Sequence, residues 1–116
     1  MAMIDTLMAE LKKVVPVCAQ DIYKGSATEY VVVTATETGT CYGDDVAQLT
    51  SLLISVSWCY AWEPHIKSRA DWRAKKHQLR DAIIRAGCTS PTVTEAGDYE
   101  WGRLGYEGQA IEQEGE

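Results

Sequence analysis

The chain has 116 residues, of which 46% are apolar and 24% charged, with a formal net charge of −6. That length suits one domain around a single core, and the balance is ordinary for a globular protein. The acidity argues against a dedicated nucleic-acid binder, which normally presents a basic domain, and no stretch approaches the roughly 18 apolar residues that crossing a bilayer requires.

The opening MAMIDTLMAELKK has acidic residues and a helical apolar spacing, not a basic stretch followed by an apolar core. It is therefore read as a helix and not as a signal peptide, and a cytosol-like compartment is expected. Ile4, Leu7, Met8, Leu11 and Val14 recur at three and four and give one apolar face. Asp5 near the start and Lys12 and Lys13 near the end suit the helix dipole, and Pro16 stops the helix. Val17 to Gly25 reads as a connection ending in a Gly25-Ser26 turn. Glu29 to Glu37 reads as a strand, because Tyr30, Val31, Val32, Val33 and Thr34 are aromatic or β-branched. Cys41-Tyr42-Gly43-Asp44-Asp45 reads as a polar loop or short strand. Asp44 and Asp45 are adjacent carboxylates in a glycine-flanked turn, and no third ligand follows at calcium-loop spacing.

From Leu52 to Trp62 the alternation is strict. Leu52, Ile54, Val56, Trp58, Tyr60 and Trp62 fall on one side, and Leu53, Ser55, Ser57, Cys59 and Ala61 on the other. A period of two places alternate side chains on opposite faces, so this is a long strand with one bulky face and one mostly small face. The bulky face needs a cover. The small face lets another backbone come close, and a neighbouring subunit is one candidate for it. With only a modest loop between them, this strand and the preceding one are expected to pair antiparallel.

Glu63-Pro64 ends the strand, with Pro64 in an irregular turn. Ser68-Arg69-Ala70-Asp71 has the form of a capping box that starts a helix running to Ala86. Trp72, Leu79, Ile83 and Ala86 define its buried stripe, Arg69, Arg73, Lys76 and Arg80 a neighbouring basic face, and Gly87 its cap. Cys88 to Glu95 reads as a strand whose Pro91 suggests an edge or an early position, Ala96-Gly97-Asp98 as a turn and Tyr99 to Tyr106 as a last strand weakened by Gly102 and Gly105. Residues 1–107 thus form one domain, and Gly108 to Glu116 is expected to be a disordered acidic tail. The expected fold is α+β, in the order helix, strand, strand, helix, strand, strand. Both helices flank an antiparallel sheet of about four strands.

Four cysteines, Cys18, Cys41, Cys59 and Cys88, show no CxxC pair, and neither His65 nor His77 stands at a ligand-like spacing from one. Free thiols and no structural zinc are expected. No GxSxG, P-loop, HExxH or GxGxxG motif is present. On this reading the chain is not an enzyme and has no catalytic, metal or cofactor residues.

The order of short features is more informative: Tyr23-Lys24-Gly25, then Glu29-Tyr30-Val31-Val32, then Gly43-Asp44-Asp45, the long alternating strand, and a helix closing on Ile83-Ile84-Arg85-Ala86-Gly87. From the first helix to about Cys88 this order resembles the small tail-completion or tail-terminator proteins of tailed bacteriophages, also described as minor capsid or tail-to-head joining proteins. The resemblance implies a non-enzymatic virion protein, assembled in the host cytoplasm and located at the head-proximal end of the tail. Its members form a ring, commonly of six subunits, that caps the tail tube and docks the head. The implied partners are further copies of the chain, the tail tube protein and the head–tail connector, with DNA passing through the lumen without specific binding and no membrane involved.

That role suggests three placements. The basic side of the 68–86 helix would meet an acidic edge of a neighbour, Glu95, Asp98 or Glu100. Asp44 and Asp45 would line the pore and repel phosphates. The tail 108–116 would order on binding the next ring. The competing readings are a head–tail adaptor of the same particle, a regulatory protein binding through its basic helix, and a small-molecule-binding or enzymatic α+β domain. The last would use the tryptophan-rich strand face, with Trp58 and Trp62, as a pocket wall.

Overall fold

The computed structural model describes residues 2–41, 48–66, 68–98 and 100–114. The elements are α1 (Ala2–Lys12), β1 (Cys18–Gln20), β2 (Glu29–Cys41), β3 (Gln48–Ala61), a short turn of helix α2 (Trp62–His65), α3 (Arg69–Arg85), β4 (Thr92–Gly97) and β5 (Trp101–Glu114). The α+β class stands. The sheet has five strands in the order β1-β2-β3-β5-β4. The long alternating strand is its middle, antiparallel to β2 on one side and to β5 on the other.

The bulky face of β3 is the core. Leu52, Ile54, Val56, Trp58 and Tyr60 are buried, beside Val31 and Val33 of β2 and Leu104, Tyr106 and Ala110 of β5. Ile4, Leu7 and Leu11 of α1 and Trp72, Leu79, Ala82 and Ile83 of α3 close over them. Hydrogen bonds fix α3 to the sheet: the Trp72 indole N–H donates to the Tyr60 hydroxyl at 2.7 Å, and the Tyr106 hydroxyl donates to the Lys76 carbonyl at 2.8 Å. The start of α3 is as expected, with Ser68 Oγ accepting from the Asp71 backbone N–H at 3.1 Å. The end is too, with Gly87 at φ 106°, in the left-handed region that glycine enters without penalty.

Four expectations are corrected. The segment from Val17 contains β1, which pairs parallel to β2 over Cys18–Gln20, so the sheet is mixed and not wholly antiparallel. A three-residue strand is too short to show a period, and only its pairing with Val31–Val33 makes it one. Trp62 has left β3 and opens α2 instead of continuing the strand face. The edge strand begins at Thr92 and not at Cys88.

The largest correction concerns the segment expected to be a disordered tail. It is strand through Glu114, and β5 pairs with β3 from Trp101↔Ala61 to Glu114↔Gln48. Main-chain hydrogen bonding to β3 holds it, and Ala110 is buried in the core. The segment after α3 crosses above Gly108, where the Thr89 N–H donates to the Gln109 carbonyl at 2.8 Å and Thr89 Oγ1 accepts from the Gln109 N–H at 2.9 Å.

The long strands shape the molecule. Its extents are 54 × 27 × 22 Å. Its radius of gyration, 15.5 Å, exceeds the roughly 13 Å of a compact chain near 100 residues. Among the described residues β1 pairs with β2 only as far as Val33, and β4 with β5 only between Gly102 and Glu107. Beyond those limits β2, β3 and β5 continue as a three-stranded ribbon, with a bulge in β2 between Glu37 and Gly39.

Candidate interaction surfaces

The helices cover one face of the sheet and leave the other to solvent. On that open face stand Tyr30, Val32 and Thr34 of β2, Ser55, Ser57 and Cys59 of β3, Arg103, Gly105 and Glu107 of β5, and Thr94 and Ala96 of β4, all half-buried or exposed. The expected small face of β3 is therefore real, and no other layer of the described residues lies on it. The loop after β1 folds over one end, where Tyr23 stacks on Tyr30 with ring centroids 4.3 Å apart. There Asp21, Tyr23, Tyr30, Cys59 and Arg103 border a depression of about 490 Å³. A second, of about 290 Å³, continues across Ser55, Ser57, Arg103 and Gly105 to Thr94 and Ala96. Burial pushes the Tyr30 hydroxyl above its ordinary range, and hydrogen bonding with the Cys59 thiol adds to the shift.

The thiols differ accordingly. Cys18 donates to the Val15 carbonyl at 3.1 Å, and burial pushes it up to about 11. Burial also raises Cys88. Brief alkylation at pH 8 followed by peptide mapping is expected to label Cys18 and Cys88 slowly, because burial keeps both thiols protonated and the thiolate is the reactive form. Rapid labelling of Cys18 or Cys88 would show that the surroundings of those thiols open readily.

The basic helix is largely engaged within its own chain. Lys75 Nζ pairs with Glu29 at 2.7 Å, and that carboxylate also accepts from the Trp58 indole N–H at 3.1 Å. Arg69 and Lys76 lie over the Trp72 ring at 5.1 and 5.0 Å from its centroid. Arg85 pairs with Glu10 at 3.2 Å, and Arg80 with Asp81 at 3.6 Å and with the Ser90 hydroxyl at 3.2 Å. Arg73 is exposed and has no polar partner among the described residues. Of the acidic residues expected to meet this helix, Glu95 lies in the register of Leu104 and Trp58, on the helix-covered side of the sheet edge. Asp98 is engaged by its own turn. Its carboxylate accepts from the backbone N–H groups of Glu100 and Trp101 at 2.8 and 2.9 Å, which holds it below the usual carboxylate range. Asp44 and Asp45, expected at a pore, lie outside the described residues.

That turn builds a third surface. At the end of β3, Ala61, Trp62 and Glu63 face Glu100 and Trp101 across an open cleft of about 380 Å³. The Trp62 backbone N–H donates to the Glu100 carbonyl at 3.2 Å, and its indole N–H to the Asp98 carbonyl at 2.9 Å. The Trp62 ring meets Tyr60 edge-on at 4.9 Å. Trp101 is 40% exposed, which is high for so large an apolar side chain. The sequence reading missed this pairing, since only the β3–β5 register brings Ala61 opposite Trp101.

Among the described residues Trp58 and Trp62 do not wall one pocket, as the small-molecule reading expected. Trp58 is fully buried beneath α3, and Trp62 reaches a cleft with Trp101 instead. Among the described residues no group of three His, Cys, Asp or Glu stands together as metal ligands. No described helix is long and apolar enough to cross a membrane. The chain matches no protein-family model, and comparison with curated proteins finds no match either.

Proposed function

We propose that this protein is a structural subunit of a phage tail, assembling into a ring that ends the tail tube and joins it to the head. The observation that carries this reading is the one-sided sheet. Helices cover one face, and the opposite face has a floor of Ser55, Ser57, Cys59 and Gly105. A neighbour's backbone can approach such a floor closely. The covered and open faces are unlike, and a ring needs unlike faces, because each subunit meets the next through a different patch. The order of sequence features from Tyr23 to Gly87 supports the same reading.

The test is to polymerise tail tube protein with and without this chain and to image the products. Tubes of limited length, each capped at one end by a ring of about six copies, are expected. Tubes that grow equally long and uncapped in its presence overturn the reading. A small-molecule-binding domain is the second reading, favoured by the depression bordered by Tyr23, Tyr30, Cys59 and Arg103. It predicts one ligand bound per chain at that place.

A further inference from the structure

The cleft at the end of β3 combines two indoles with two carboxylates. Neither Glu63 nor Glu100 has an ion-pair partner among the described residues. An indole face attracts a cation through its quadrupole, more strongly than any other side-chain ring. A carboxylate pairs with a guanidinium through two parallel hydrogen bonds. A site offering both recognises a cationic side chain. It is also built before any ligand arrives: two hydrogen bonds from Trp62 anchor the facing turn, and two backbone N–H groups brace that turn on Asp98.

We propose that the cleft between Trp62 and Trp101 receives a cationic side chain, and that the occupant is the Arg73 guanidinium of a second copy of this chain. This rests on the assembly reading above. Charge complementarity selects the occupant. The other cations of α3 named above already have a carboxylate, hydroxyl or ring partner, whereas Arg73 is exposed and unpaired among the described residues. The cleft and Arg73 belong to different elements, so the contact is head-to-tail and can be repeated around a ring. It replaces the broader expectation of a basic helix against Glu95, Asp98 or Glu100 with one cation and one receptor.

The experiment is sedimentation velocity across a concentration series, at low and at high salt. The samples are the wild-type chain, Trp101→Ala, Glu63→Gln with Glu100→Gln, Arg73→Glu, and the exchanged pair Arg73→Glu with Glu100→Arg. All the substituted side chains, Trp101 included, are exposed, and circular dichroism checks each fold. The wild type is expected to self-associate, less at high salt. Each of the first three variants is expected to weaken association about tenfold or more, as loss of roughly 1.4 kcal/mol does. The exchanged pair should recover most of that loss. A wild type that stays monomeric at every concentration overturns the proposal, as does association indifferent to Trp101 and Arg73. Recovery absent in the exchanged pair, while Arg73→Glu and the doubly amidated Glu63→Gln, Glu100→Gln variant each weaken association, points to another protein's cation and overturns the second copy as occupant. The ring reading is judged separately on tail tubes. Capped tubes with an inert cleft would leave that reading standing, while a cleft-dependent dimer unable to cap tubes would support this contact and remove the ring.

Discussion

Trp58→Ala is expected to destabilise the domain by about 3–5 kcal/mol, the range for truncating a buried aromatic. Trp58 is fully buried on the middle strand, three residues before its end. Its ring packs against Tyr60 with centroids 4.2 Å apart, and its indole N–H donates to Glu29, which also holds Lys75 of α3. The substitution therefore empties the core and loosens one attachment of α3 to the sheet. Domains are stable by only about 5–15 kcal/mol, so much of the total would go. Trp58→Phe separates the two effects: it keeps an aromatic ring and loses the donor, and should cost clearly less. Urea melts of the three proteins check this. A loss below about 1 kcal/mol for the alanine variant would show that the helices do not close on this face as described.

Gly102→Val is expected to destabilise the domain for the opposite reason, too much volume. Gly102 lies directly across from Tyr60 in the β3–β5 pair, and a Cβ there would overlap the Tyr60 ring. That ring cannot easily yield, because Trp72 donates to its hydroxyl and Trp58 and Trp62 pack against it. Overpacking of this kind typically costs 1–3 kcal/mol and occasionally more. Since Trp101 and the cleft are next in the chain, the damage should also reach the Trp62 surroundings. The checks are a lowered urea midpoint and a changed near-ultraviolet tryptophan signal. Gly87→Ala is a useful contrast. Its Cβ would meet nothing within 4 Å, so the only penalty is the positive φ.

These two positions show where the sequence was and was not legible. Trp58 was readable because a period of two over eleven residues needs no partner to be recognised. Gly102 was read as weakening a strand, and it does lack a side chain. What fills the space is the Tyr60 ring from the neighbouring strand, which no local rule supplies. The same holds along β5. Leu104, Tyr106 and Ala110 face the core while Arg103, Glu107 and Gln109 face solvent, an alternation diluted by Gly102, Gly105 and Gly108. A weak period and a run of glutamates made residues 108–114 look like a tail, and pairing with β3 made them a strand.

The interaction surfaces follow the same division. The small side of β3 was visible in Ser55, Ser57 and Cys59. That it faces outward under no further layer depended on both helices choosing the other face. The basic helix was visible in its charges, but the engagement of Lys75 by Glu29 and of Arg85 by Glu10 was not, because those partners are 46 and 75 residues away. Local chemistry by itself determined the elements with strong periods, the Ser68 and Gly87 caps, the central strand and the α+β class. Tertiary structure decided the parallel β1, the full length of β5, the open face and the Trp62–Trp101 cleft. Each of these is made by hydrogen bonds or rings contributed from distant segments, and a single stretch of chain carries no record of its partner.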